Sequence, residues 1–319
     1  AVSVIAADGR ITSTSIWRPE FQPDADMSYG DALDGVKDRL LRAVDLRMRA
    51  DVPLAFCLSG GVDSTILAGI AAKRLGRDIH CFSVLDDDER YDERENISAM
   101  VASLGCDHHV ARTSSEGFFA RLDDLVGYHD APVITISYYM HSFLSEAIAG
   151  AGYKVAISGT AADEIFTGYY DHYPMWLAGR RGQVADAEFD ALVTDWRDGP
   201  GRFVNNPLLQ DPLRFIKNPA ARDHILLDTE VFSGFLVEPF AEAWSEQPLA
   251  PELLRNRMLN ELKYEVVPVI LHDDDRNSMR YSVENRSPFL DTALFDWSAS
   301  IPTRHLVRAG RAKAVLRDA

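Results

Sequence analysis

Cysteine, cationic side chains and long apolar runs are what this sequence of 319 residues has least of. Its three cysteines, Cys57, Cys81 and Cys106, are odd in number and read as buried thiols rather than a disulfide framework. The run Cys106-Asp107-His108-His109 has no second Cys/His pair at zinc-binding spacing. Free thiols make a reducing cytoplasm the expected setting. Lys and Arg number 33 against 49 Asp and Glu, a net charge of −16, with the acids spread along the chain. Nucleic acid is not an expected partner, because it calls for a basic face. No signal peptide and no apolar run of about 18 residues stands out, so no membrane span is expected. A hydrophobic content of 46% is still ordinary for a globular core, in one large or two modest domains.

What is present is a strand, a glycine turn and a helix. Leu54–Leu58 is a short apolar run behind the turn signal Asp51-Val52-Pro53, the pattern of a buried parallel strand. Ser59-Gly60-Gly61-Val62-Asp63-Ser64 follows, and then Ile66, Leu67, Ile70 and Ala71 at helical spacing. Such a turn leaves backbone N–H groups open and aims a positive helix end at an anion. The loop lacks the closing lysine of a Walker sequence. Asp63 would repel phosphate unless a divalent cation lay between them. These residues suit a metal-bound polyphosphate better than a purely structural turn.

Strand–helix alternation continues, with a helix over Thr65–Leu75, a strand over Ile79–Val84 and a helix from about Arg94 to Leu104. It predicts an α/β fold, a doubly wound, mostly parallel sheet with ligands at the carboxyl ends of its strands. Tyr153–Ile157 is a further strand, and it runs into Ser158-Gly159-Thr160-Ala161-Ala162-Asp163-Glu164 and Gly168-Tyr169. Two such loops at neighbouring strand ends can clamp one metal–polyphosphate from both sides; Asp163 also suits a helix cap. Before the core, Val2–Ile5 and Ile11–Ile16 read as a hairpin, and Leu33, Val36, Leu40, Val44 and Met48 as a helix capped by Ser28. Asp86–Glu89 reads as a solvated loop rather than a metal site. After about Pro174 the chain turns helical, over Glu188–Trp196, Thr229–Ala243 and Pro251–Tyr264, and makes a helical C-terminal cap on the core.

Ser59–Ser64 resembles the pyrophosphate loop of the ATP pyrophosphatase superfamily. The chain after residue 17 resembles the synthetase domain of the class B, glutamine-dependent asparagine synthetases. The resemblance also rests on the Ser158–Glu164 run, on Glu284-Asn285-Arg286-Ser287-Pro288-Phe289-Leu290-Asp291, and on Gly310-Arg311-Ala312-Lys313 followed by Leu316-Arg317. It implies an adenine nucleotide α-hydrolase-like core over residues 28–319, expected to run on past the last residue. Residues 1–27 then resemble a remnant hairpin of a glutaminase domain plus a linker. That glutaminase uses an amino-terminal cysteine, whereas this chain begins with Ala1, so ammonia is expected from a missing or partner glutaminase, or as free ammonia. A homodimer is compatible with the resemblance.

Residue by residue, the resemblance assigns ATP to Leu58, Ser59, Gly60, Gly61, Val62, Asp63, Ser64, Val84, Ser158 and Gly159. It assigns Mg²⁺ to Asp63 and Asp163, and phosphate contact and transition-state charge to Lys313. Glu164, Tyr169, Glu284 and Arg286 become candidates for binding the substrate, although a Glu284–Arg286 pair also suits a structural ion pair. The implied reaction adenylates a carboxylate, releasing pyrophosphate, and passes ammonia to the acyl group. The chain departs from the family at Thr160, where asparagine synthetases carry a glutamate. A hydroxyl is no base near neutral pH without help, which puts aspartate in doubt as the acceptor and leaves Thr160 as a catalytic-site position of changed chemistry. Tyr169 to Tyr173 offers other acid–base groups. Amidation of a uronic acid, ring closure within one molecule, sulfur transfer and a non-catalytic nucleotide-binding scaffold stay open as alternatives.

Overall fold

The computed structural model describes residues 2–14, 17, 19–86, 93–225, 231, 233–238 and 245–319. Five parallel strands form the central sheet: β3 (Leu54–Cys57), β4 (His80–Leu85), β5 (Asp107–Arg112), β6 (Val155–Ile157) and β7 (Glu284–Arg286), in the order β5-β4-β3-β6-β7. The chain moves outward from β3 to β5 and then returns to the other side of β3 with β6. The strand order therefore reverses between β3 and β6, and in an open α/β sheet the ligand crevice lies at that reversal. Phe56 pairs with Ile157, so the loops after β3 and β6 emerge side by side.

Helices cover the sheet: α1 (Tyr29–Arg47), α2 (Val62–Gly69), α3 (Arg94–Leu104), α4 (Phe118–His129), α5 (Ile136–Gly150), α6 (Ala162–Phe166), α7 (His172–Arg180), α8 (Asp186–Asp198), α9 (Arg214–Lys217), α10 (Leu253–Asn260), α11 (Val267–Arg280), α12 (Thr292–Ser300) and α13 (Ala314–Asp318). Ser28 and Asp31 cap α1 reciprocally, each side chain accepting from the other's backbone N–H. Its stripe of Val36, Leu40 and Val44 is buried, in one core with Phe56, Leu58, Leu67 and Ile157. The helix expected over Thr65–Leu75 starts earlier, at Val62, and passes into a π-helical stretch at Ile70–Arg74. A second π-helical stretch, Glu261–Glu265, links α10 to α11 where one helix over Pro251–Tyr264 was expected. Of the helix expected over Thr229–Ala243, residues 234–238 form turns and bends instead, and about half lies outside the described residues, as do Asp87 to Asp92.

The two remaining strands, β1 (Val2–Ile5) and β2 (Ile11–Thr14), form a separate antiparallel pair. Val4, Ile5 and Ile11 are exposed on it; a two-stranded hairpin cannot bury both of its own faces. No helix among the described residues is long and apolar enough to cross a membrane. The three cysteines are free, with Cys81 buried and the other two half-buried.

Candidate active site

The loop after β3 is held by its two serines. Ser59 N–H donates to Ser64 Oγ at 3.2 Å, the two hydroxyls lie 3.1 Å apart, and Ser64 Oγ reaches Gly61 O at 3.2 Å. Gly60 turns the chain at φ +73°, and a Cβ there would meet Asn96 Cβ at 3.1 Å. Glycine alone adopts that geometry freely and lets the loop lie against α3. Gly61 then stands as the N-cap of α2 with no side chain over the helix end, which leaves the first-turn N–H groups for a ligand. The loop after β6 packs directly on this one. A Cβ on Gly159 would sit 3.0 Å from both Asp63 Cβ and Ser64 N.

Lys313 joins the two loops. Its Nζ lies 2.6 Å from Asp63 Oδ2 and 2.8 Å from Asp163 Oδ1. The side chain arrives from the distant C-terminal end because Lys313 takes a left-handed φ of 55° and its backbone N–H donates to Thr167 Oγ1 at 3.0 Å. Gly168 makes room for the group: a Cβ there would sit 1.6 Å from Asp163 Oδ1 and 2.5 Å from Lys313 Cε. Burial pushes the Asp63 carboxyl above its ordinary range against the pull of Lys313, with Asp163 adding to the rise. Two carboxylates share one ammonium, and Asp63 Oδ1 is buried without a hydrogen-bond partner. A carboxylate with one buried oxygen left unpartnered, beside a second carboxylate, suits a hard divalent cation such as Mg²⁺, which takes oxygen ligands.

Behind Asp163, Glu164 is almost fully buried and accepts a hydrogen bond from the Tyr169 hydroxyl at 2.7 Å. Burial raises its carboxyl to about 7, with the neighbouring Asp163 and Glu261 charges adding to the rise and the Tyr169 bond opposing it. The next turn is anchored from below. Gly168 N–H donates to His172 Nδ1 at 3.2 Å, and His172 Nε2 faces Glu261 Oε2 at 2.8 Å. Nε2 donates to Glu261. Asp171, His172 and Glu261 cluster closely enough to hold a metal. Arg257 instead pairs with Glu261 at 2.9 Å and Asp171 at 3.6 Å, and His224 with Asp171 at 3.1 Å, so the group is a buried ion-pair network. It ties the Thr167–His172 segment to the second π-helical stretch.

Both loops open into a cleft of about 1380 Å³. Leu58, Ser59, Asp63, Ser64, Val84, Ser158, Gly159, Thr160, Asp163, Glu164 and Tyr169 all line it. Thr160 Oγ1 lies 3.2 Å from Ser158 Oγ, whose other neighbour is Ser287 Oγ at 3.5 Å; the position offers hydroxyls and no charge.

Glu284 and Arg286 are not among the residues that line this cleft; they form the ion pair that their spacing also suited. Arg286 pairs with Glu284 at 2.8 Å and donates to the carbonyls of Arg47 and Arg49 at 2.8 and 2.9 Å, beyond the end of α1. Successive side chains of a strand point to opposite faces, and on β7 it is Asn285 between them that lines the cleft.

Asp86, the first residue after β4, is half-buried. It lines the cleft and accepts from Thr113 Oγ1 at 2.5 Å, whereas the rest of that acidic run lies outside the described residues. The cleft further exposes Glu93, Glu265, Asp274 paired with His141 at 3.1 Å, and one face of α5. Sequence reasoning missed these. For α5 a signal existed, apolar residues at intervals of four (Ile136, Met140, Leu144, Ile148), but the same spacing marks an ordinary core stripe.

A family model described as asparagine synthase matches residues 35–319. The chain belongs to the asparagine synthase family. Among curated relatives, the amidase chyE of Penicillium rubens is 26% identical over 363 residues, covering 95% of this chain and 53% of the relative. The glutamine-hydrolyzing asparagine synthetase 1 of Bacillus subtilis is 24% identical over 344 residues, covering 99% and 51%. The chain thus spans about half the length of the curated relatives it matches. Among solved structures, NMN synthetase from Francisella tularensis aligns over 80% of this chain and 94% of its own, at 14% identity and a TM-score of 0.31. The curated relatives include proteins named amidases as well as asparagine synthetases.

Proposed function

We propose that this chain is the synthetase part of an ATP-dependent, amide-forming ligase. ATP lies along the loops after β3 and β6, with the adenine between Leu58 and Val84 and the phosphates over the first turn of α2. The α2 N–H groups bind phosphate oxygens, and Lys313 supplies positive charge as it develops on them. Bound at Asp63 and Asp163, Mg²⁺ would neutralise the departing pyrophosphate. The acceptor's carboxylate oxygen attacks the α-phosphorus and pyrophosphate leaves. Ammonia then adds to the acyl carbon, and AMP departs with the oxygen that came from the acceptor. Ammonia reaches the site from a glutaminase portion outside this chain, or free in solution.

The proton released as ammonia adds needs a base. Thr160 cannot take it, whereas Glu164, in the same cleft and raised to about 7, is half ionised near neutral pH. Tyr169 orients that carboxyl. Glu164 therefore stands in for the family glutamate at a neighbouring position.

The observation that carries this reading is the meeting of Asp63, Asp163 and Lys313 at the switch point of the sheet. A phosphate site needs cations, and a scaffold has no use for two partly buried carboxylates clamped on one lysine. The test is release of pyrophosphate from Mg²⁺–ATP with ammonium chloride and a panel of carboxylic acids. Release that needs both Mg²⁺ and an acid, and that Asp63→Asn abolishes, is the expected result. ATP binding without release under any acid would favour a nucleotide-binding scaffold instead.

A further inference from the structure

The lining of the cleft points to the acceptor. The ATP-assigned residues occupy the ends of β3, β4 and β6. The wall they leave uncovered is built by α5, through Ile136, Met140 and Leu144, and by the start of α11, through Val269 and Ile270. Ile134 and Ile136, at 58% and 61% exposed, carry the apolar surface out toward solvent. The volume of about 1380 Å³ exceeds the roughly 300–1,000 Å³ typical of a pocket for one small ligand, so there is room for an acceptor of some bulk beside ATP.

The charge of the lining is equally one-sided. The described residues that face the cleft include seven carboxylates and no Lys or Arg. The one basic side chain among them, His141, is paired with Asp274. Lys313 stands just behind, committed to Asp63 and Asp163. An acceptor with a second anionic group would bring it into a negative cleft with no Lys or Arg in its lining to pair it, which disfavours its binding. Aspartate carries such a group in its second carboxylate, and a nucleotide-linked uronic acid carries two phosphates. A plain uronic acid has one carboxylate, but its hydroxylated ring would cover Ile136, Met140, Leu144, Val269 and Ile270 without gaining from their burial, although Ser137, Tyr138, His141 and Ser145 also line this wall.

We propose that the acceptor is a monocarboxylic acid with an apolar or aromatic body and no further negative charge. The carboxylate points to Thr160 and the loops, and the body lies on the α5–α11 wall. A cationic amine on that body suits Glu265 and Asp274. The proposal rests on the ligase reading and adds the substrate class to it. The Thr160 hydroxyl can donate a hydrogen bond to the reacting carboxylate.

The experiment is ATP–pyrophosphate exchange by the full chain with Mg²⁺ and, in separate reactions, phenylacetate, 4-aminobenzoate, aspartate, glucuronate and UDP-glucuronate. Exchange at least tenfold faster with the two aromatic acids than with the other three is expected. In Met140→Arg, which places a cation on the wall, the aromatic acids should lose at least tenfold while ATP binding, followed by calorimetry, stays unchanged. Exchange driven best by aspartate or by either sugar acid overturns the substrate class and leaves the ligase reading standing. An unaltered acid preference in a folded Met140→Arg, as judged by its melting transition, removes the α5 wall from the acceptor site and overturns the proposal too. Absence of exchange with every acid overturns the ligase reading itself, and the substrate class falls with it.

Discussion

Replacing Glu164 with Gln should stabilise the protein at alkaline pH while disabling it. The side chain is 1% exposed, and burial raises its carboxyl from 4.5 to about 7. In the unfolded chain the group ionises near its ordinary value. Between pH 4.5 and 7 the folded state therefore holds a proton that the unfolded state has lost, and stability falls as pH rises through that window. At about 1.4 kcal/mol per pH unit, the penalty levels off near 3 kcal/mol above pH 7. Gln keeps the shape and can still accept from Tyr169, yet it never ionises. Urea unfolding of the two proteins at pH 4.5, 6 and 8 is the assay. We expect Glu164→Gln to match the parent at pH 4.5 and to exceed it by about 2–3 kcal/mol at pH 8, allowing for relaxation around a buried carboxylate. Amide formation should fall about 10²-fold or more, the usual worth of a general base. A stability difference that is flat with pH, or largest in acid, would refute the placement of Glu164. Undiminished turnover would refute its role as base.

Lys313→Met removes the cation between two carboxylates. It should lower stability at pH 8 by about 2–3 kcal/mol, less than a fully buried pair would because both Asp side chains keep some exposure. The loss should shrink toward pH 4 as one carboxyl takes a proton, and Mg²⁺ alone should raise the melting temperature of the variant. Gly168→Ala puts a Cβ where Asp163 Oδ1 and Lys313 Cε now lie. Pyrophosphate exchange should drop about 10²-fold with far-ultraviolet circular dichroism unchanged, since a shift of about 1 Å at a reacting centre costs that much. Arg286→Ala removes two hydrogen bonds to the end of α1. It should cost about 1–3 kcal/mol of stability and leave KM for the acceptor unaltered, because the side chain is turned away from the cleft.

The parts of the site that were legible in the sequence are those in which a short segment carries its own geometry. Leu54–Leu58 with Ser59–Ser64, and Tyr153–Ile157 with Ser158–Glu164, each hold strand, turn and helix start together, so Asp63 and Asp163 could be picked out before their distance was known. The Ser28 cap was equally local. What escaped reading depends on contacts across long stretches of chain. Arg257 reaches Asp171, Glu246, Glu261 and Glu265 at once, and nothing about Arg257 in its own segment announces four partners. The α5–α11 wall is a helical stripe whose residues read as core until the neighbouring helix is placed. Glu284 and Arg286 form the ion pair that their charges also allowed, whereas the alternation of this three-residue strand, which turns Asn285 inward, shows only once β7 is placed. The π-helical stretches at Ile70–Arg74 and Glu261–Glu265 leave no mark in apolar periodicity, yet the second positions Glu265 on the cleft.

The account stands or falls on acyl adenylation by the two loops. The most direct measurement supplies Mg²⁺–ATP, ammonium chloride and the best acceptor from the exchange panel with both carboxylate oxygens replaced by ¹⁸O, and weighs the nucleotide product by mass spectrometry. One ¹⁸O in AMP, one in the amide, and no labelled AMP from Asp63→Asn is the predicted result. Formation of ADP and phosphate, or AMP without label, would contradict it.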